Sequence, residues 1–211
     1  MPPDLAKKIG VSGVNEIIGV FWKGYRELKS DASFVVNAST EEDDITQKWY
    51  EKVVGIWDSR NRATSIALNG LCPIYQYADN TVKKRKGSKS PTIDFCFKDW
   101  TTNNSYFGAE AKNLYESRPE KIKRYVSTGV DHYTTGRYGS QSSESSIIGY
   151  VLSGNISDIV GALKVEMAKG TPISNLARTS NVDPQYKSCH KRTLDNQEIT
   201  LHHLFFDFMS A

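Results

Sequence analysis

The chain has 211 residues, 38% of them hydrophobic and 24% charged, and a formal charge of +3. That length supports one large domain with an appendage, and the mildly basic balance admits nucleic acid as a partner without requiring it. No apolar run approaches the roughly 20 residues of a membrane span, and the Met1 to Lys8 segment lacks the apolar core of a signal peptide.

In chain order, Val14, Ile17, Ile18, Phe21, Tyr25 and Leu28 recur at helical spacing and predict an amphipathic helix over 14–28. It is expected as an N-terminal appendage, residues 1–35, ahead of a main domain at 36–211 whose core runs over about 40–153. Ser39 followed three residues later by Glu42 reads as a capping box, and the acids Glu41 to Asp44 suit the positive end of a helix dipole. Ile45, Trp49, Val53 and Ile56 continue one apolar face until a turn at 59–62. Strand-like segments follow at 64–68, 73–78, 91–98 and 105–113. Pro119 opens a helix over 119–128. Residues 146–152 form a buried strand and 156–168 a helix, and 185–193 with 199–208 form a hairpin around Asp195-Asn196-Gln197.

The chemistry concentrates on two of the predicted strands. Asp94 lies in Pro91-Thr92-Ile93-Asp94-Phe95-Cys96-Phe97, and Glu110-Ala111-Lys112 ends Tyr106 to Lys112. Residues two apart in a strand share a face, so Glu110 and Lys112 project together while Ala109 and Ala111 face the other way. Asp94 should likewise point opposite to Ile93 and Phe95, with Cys96 on its own face. Pairing through the 98–104 connection would bring two carboxylates and an ammonium onto one patch. A hard cation such as Mg²⁺ or Mn²⁺ needs only one or two carboxylates plus water and phosphate. It polarises a phosphoryl oxygen and acidifies a bound water, and a lysine alongside positions or deprotonates that water.

With fifteen residues (95 through 109) between Asp94 and Glu110, this arrangement resembles the PD-(D/E)xK nuclease superfamily, the restriction-endonuclease-like fold. Pro91-Thr92-Ile93-Asp94 stands in place of a literal Pro-Asp pair. The order helix, three strands, helix, strand over 40–153 is the superfamily's core order. The resemblance implies an α/β fold with a mixed four-stranded sheet flanked by helices, here with an N-terminal helical appendage and a C-terminal β-hairpin. It implies a cytoplasmic, Mg²⁺- or Mn²⁺-dependent endonuclease acting on DNA, in restriction or phage defence, as a homodimer whose two sites cut two strands. Asp94 and Glu110 would hold the metal and Lys112 would assist the water. A glutamate of the first core helix would complete the shell: Glu42, with Glu41 and Asp44 as competitors. The alternative is a catalytically inactive module of the same fold that binds nucleic acid or a partner protein, and a third reading is an RNA-cleaving toxin.

Basic residues supply routes to a phosphate backbone. Lys83, Lys84, Arg85 and Lys86, with Lys89, put five positive charges into seven residues. Lys121 and Arg124, three apart, share a face of the helix after the motif. Residues 131–139 mix aromatic, basic and glycine residues, a composition suited to stacking on bases or to anchoring a loop. A hairpin centred on Asn196 would set His190 opposite His202 and Cys189 opposite His203. At most two such ligands share a face, which is too few for a closed zinc site. The three cysteines, Cys72, Cys96 and Cys189, are widely spaced and read as reduced thiols. No GxxxxGK[ST], GxGxxG or GxSxG element is present.

Overall fold

The computed structural model describes residues 4–60, 68–79, 90–102, 104–170 and 176–209. The basic run Lys83 to Lys89 and most of the strand expected at 64–68 lie outside them. Helix α1, Leu5–Lys29, starts where Asp4 accepts hydrogen bonds from Ala6 N and Lys7 N, and it bends at Gly10, whose φ is 67°. It exceeds the predicted 14–28 because Leu5, Ala6 and Ile9 already belong to its buried face. Helix α2, Glu42–Ser59, lacks the expected capping box. Ser39 Oγ donates to Asn37 Oδ1 instead, and Glu41 at the cap position makes no side-chain cap bond. Glu42 is thereby released from its own helix end.

The strands are β1 (Leu71–Ala78), β2 (Thr92–Asp99), β3 (Tyr106–Tyr115), β4 (Glu144–Ser153), β5 (Ala177–Arg178), β6 (Gln185–Lys191) and β7 (Glu198–Asp207). They form one seven-stranded sheet in the order β1-β2-β3-β4-β7-β6-β5, in which β3/β4 and β4/β7 are parallel and the other pairs antiparallel. The expectation of a four-stranded sheet with a separate hairpin is corrected. An open β4 edge would expose unpaired backbone groups, and β7, almost wholly buried, pairs along β4 from Glu144↔Thr200 to Val151↔Asp207. The hairpin register is corrected too. Arg192 N donates to Gln197 O and Asn196 N to Arg192 O, with Asn196 at φ 62°, so His190 faces Ile199 and Cys189 faces Thr200.

Helices α3 (Pro119–Arg124) and α4 (Asp131–Thr134) join through a π-helical turn, Tyr125–Val130, so the helix expected over 119–128 runs on to Thr134. Helix α5 is Ile156–Met167, capped by Asn155. Three layers result. Helices α1 and α2 cover one sheet face, where Phe21 and Trp49 pack at 5.0 Å among Phe95, Phe97, Phe107 and Phe206. The segment expected as an appendage thus packs into this layer through α1. Helices α3 to α5 cover the other face, over Cys96, Tyr106, Ile147, Val151 and Phe205. Among the described residues no helix is long and apolar enough to cross a membrane.

One irregularity bears on the site. The β1/β2 ladder runs from Tyr75↔Phe95 to Tyr77↔Ile93 across Gln76, whose φ is +48°. Phe95 packs under α1 and α2, whereas Ile93 packs on the α3 side. Ile93 and Phe95 therefore do not share a face as expected, and Asp94 sits at the switch. The close packing behind the switch needs Gly108, since a Cβ there would collide with the Ile93 side chain and lie 2.9 Å from Tyr133 Oη. Gly108→Ala is expected to cost about 1–3 kcal/mol, measured as a lower urea midpoint with an unchanged slope.

Candidate active site

Strands β2 and β3 pair only from Lys98↔Tyr106 to Phe95↔Ala109, while β3 continues to Tyr115 against β4. Beyond Phe95 the two strands fork. The backbone N–H groups of Ala111 and Asn113, two apart and on the same side of β3, lose their ladder partner there, and buried donors need acceptors. Two carboxylates supply them. Ala111 N donates to Asp94 Oδ2 at 2.8 Å, and Asn113 N donates to Glu42 Oε2 at 2.9 Å. The chain ahead of α2 is held to the same strand, with Asn113 Nδ2 donating to Thr40 O and Tyr115 Oη to Ala38 O.

Between these acids stands Lys112. Its ammonium donates to Glu110 Oε1 at 2.7 Å, to Ala111 O at 2.6 Å and to Glu42 Oε1 at 3.3 Å. Arg124 of α3 approaches the same Glu42 oxygen at 3.5 Å. Glu110 and Lys112 are only 5% and 4% exposed. The fork thus brings Asp94, Glu110, Lys112 and Glu42 together, with Arg124 at its rim. Glu41 and Asp44 are exposed and make no contact there among the described residues. Lys121 lies over the Tyr115 ring at 6.0 Å, at the far end of the same strand.

Negative charge is in excess. Burial first, and then Asp94, push the Glu110 carboxyl up to about 8 against the pull of Lys112. Burial also raises Asp94, opposed by Lys112 and the Ala111 N–H. Burial works against the Lys112 charge, but Glu110, Asp94 and Glu42 outweigh it and hold the ammonium above its ordinary value. Glu110 Oε2 and Asn113 Oδ1 are buried without a hydrogen-bond partner among the described residues.

Among the described residues no group of three or more His, Cys, Asp or Glu side chains forms a ready cage for a metal ion. Mg²⁺ does not need one, since two carboxylates with water and a substrate phosphate suffice. Asp94 and Glu110 fit that role. Both are desolvated hard oxygen donors, and Glu110 keeps one oxygen unclaimed.

The segment 131–139 lies beneath the fork. Tyr133 and Tyr138 are buried in the α3-side core, and Tyr138 Oη donates to Thr92 O at 3.0 Å. Burial first, then Glu110, raises both hydroxyls. Burial, with Arg137 and Lys112, lowers His132 to about 4. Of the two roles this composition allowed, anchoring is the one these tyrosines fill. Asn113 carries no motif of its own, although it directly follows the Glu110-to-Lys112 motif.

The histidine and cysteine side chains of the hairpin separate. Cys189 Sγ meets Thr200 Oγ1 at 3.6 Å, His202 Nε2 meets Glu144 Oε2 at 2.7 Å, and His190 and His203 meet through Ser188. Comparison with protein-family models, curated proteins and solved structures finds no match.

Proposed function

We propose that this chain is a divalent-metal-dependent endonuclease that hydrolyses DNA phosphodiester bonds at the β2/β3 fork. The observation that carries the reading is the convergence of Asp94, Glu110, Glu42 and Lys112 in a buried cluster with surplus negative charge and an unclaimed Glu110 oxygen. Buried like charges are costly, and clusters of this kind are where catalytic groups concentrate.

Asp94 and Glu110 would hold Mg²⁺ or Mn²⁺, with Glu42 at the edge of the shell. When bound, the cation supplies Lewis acidity at the phosphoryl oxygen and lowers the pKa of a water. Lys112 is the group that meets the reacting atoms. Its raised pKa keeps it charged at neutral pH, so it orients the attacking water and neutralises phosphate charge rather than abstracting a proton. Glu42 fixes that ammonium from the other side while tying α2 to β3. Arg124 and Lys121 flank the fork and suit backbone phosphates, which position a strand without reading its sequence.

Supercoiled plasmid incubated with Mg²⁺, Mn²⁺ or EDTA tests the reading. Nicking by the wild type that EDTA and Asp94→Ala each abolish is the expected result, and a linear product beside the nicked circle would point to paired copies. Lys112 already fills the acidic cluster, which favours one other reading, a catalytically inactive module of the same architecture. Binding of DNA with no metal-dependent nicking would establish that module instead, and cleavage confined to an RNA substrate would move the activity to RNA.

A further inference from the structure

The two sides of the fork carry opposite charge. On one side, Arg118, Lys121 and Arg124 recur at every third residue and follow α3 over about 9 Å. Arg118 lies over the Tyr115 ring at 4.3 Å, Lys121 lies over the same ring at 6.0 Å, and the half-exposed Arg124 reaches Glu42 at 3.5 Å. The row thus runs from the far end of β3 to the mouth of the fork.

On the other side stands the start of α2. Glu41, Asp43 and Asp44 are exposed and have no ion-pair partner among the described residues. Burial first, and then Asp43, Asp94 and Asp44, raise the Tyr75 hydroxyl of β1. Asp43 also adds, with Glu42, to the burial that raises Asp94. These acids therefore overlook the β1/β2 side of the fork, opposite the row on α3. Acids suit the start of any helix, but here that start borders the fork.

A second observation marks the same place. Glu110 is 5% exposed, Lys112 holds one of its oxygens, and the other is buried without a partner among the described residues. A scissile phosphate would belong beside that oxygen, between the basic and the acidic side. One backbone laid along the α3 row has its phosphates matched by cations. A duplex brings a second backbone across grooves about 6 and 12 Å wide, and exposed charges act on one another over about 8 Å at physiological salt. With the first strand on the cations, the second falls where Glu41, Asp43 and Asp44 repel it.

We propose that the fork takes unpaired DNA in preference to duplex, with the phosphates on Arg118, Lys121 and Arg124 and the α2 acids turning a second strand away. The inference rests on the reading of the fork as the place that holds DNA. It does not need the cleavage step.

The full chain in EDTA is titrated, with fluorescence anisotropy as the readout, against a short labelled single strand and against the same strand annealed to its complement. The single strand should bind at least ~10-fold tighter. Counterion release per phosphate is larger for a duplex, so a plain basic surface gives the reverse order. Lys121→Gln should weaken single-strand binding and reduce its salt slope by about 0.7, one phosphate's share. Glu41→Gln combined with Asp43→Asn and Asp44→Asn should raise duplex binding more than single-strand binding and close most of the gap. With Mg²⁺ added, negatively supercoiled plasmid, which opens locally, should be nicked while the same plasmid in relaxed form is spared. Duplex bound at least as tightly as single strand, or neither bound, overturns the proposal. Metal-dependent cutting of relaxed duplex beside that result keeps the chemistry of the fork. Preference for the single strand with no cleavage of any substrate removes the chemistry and keeps the proposal.

Discussion

Replacing Lys112 by alanine is expected to lower metal-dependent nicking by ~10²–10⁴-fold, the range set by a positioned proton-handling or charge-stabilising side chain. The loss should fall on turnover and not on metal affinity. Lys112 donates to Glu110 and Glu42 and balances Asp94, so it competes with a divalent cation for the same negative charge. Lys112→Ala should bind Mn²⁺ at least as tightly as the wild type, measured by calorimetry or by the Mn²⁺ paramagnetic signal. In EDTA the variant should lose about 3–5 kcal/mol of stability where the acids stay ionised, because one partner of a buried ion pair has been removed. Mn²⁺ should restore much of that stability without restoring the rate. Lys112→Arg should not rescue turnover, since a planar fork replaces a compact ammonium. Weakened Mn²⁺ binding in Lys112→Ala would show that the ammonium supports the metal site instead of competing with it.

Glu110→Gln is expected to change how stability depends on pH. In the folded chain the Glu110 carboxyl is pushed up to about 8 from an ordinary 4.5, chiefly by burial and then by Asp94. A carboxyl raised on folding contributes stability that is complete below its unfolded value and is lost as pH climbs through its folded value. The wild type should therefore lose ground against Glu110→Gln between about pH 4.5 and 8 in EDTA. Each unit of the rise corresponds to about 1.4 kcal/mol, so the relative gain of the variant amounts to a few kcal/mol. Comparing the two proteins isolates this carboxyl from His132, His190 and His203. Those histidines are held below 6.5 by burial and act in the opposite sense, losing stability as pH falls. Mg²⁺ at pH 8 should raise the melting temperature of the wild type, since ligand bound only to the folded state stabilises it, and should leave Glu110→Gln nearly unmoved. Parallel pH profiles for the two proteins would remove the case for a strained carboxylate here.

The paired strands of the site were legible because they are local. A short connection between antiparallel strands suffices to bring Asp94 near Glu110 and Lys112, which meet just past the end of the β2/β3 ladder. Glu42 was legible only through the resemblance. The resemblance singles it out as a glutamate of the first core helix, while its sequence context reads as a capping box; the box does not form, and the carboxylate serves Asn113 and Lys112 across the fork. Face assignment at Asp94 failed because Ile93 and Phe95 pack on opposite sides of the sheet, beside a left-handed Gln76 on the neighbouring strand, and no residue type announces that switch. The width of the sheet was hidden for a different reason. Parallel pairing of β4 with β7 joins segments some fifty residues apart, and nothing in β7's own pattern names its neighbour. The hairpin register depended on a six-residue connection closed by Arg192 and Gln197, which a turn centred on Asn196 misplaces by an odd number, reversing every facing pair.

The place of β7 also constrains how the molecule comes into being. It is the last strand in chain order, yet it lies between β4 and β6 in the interior of the sheet. While the chain is being synthesised, β4 keeps an unpaired edge, and the Tyr25 hydroxyl has no Asp207 carbonyl to bind. Long-range pairings of this kind form slowly. A nascent chain therefore carries Asp94, Glu110 and Lys112 well before β7 completes the sheet that holds them in place.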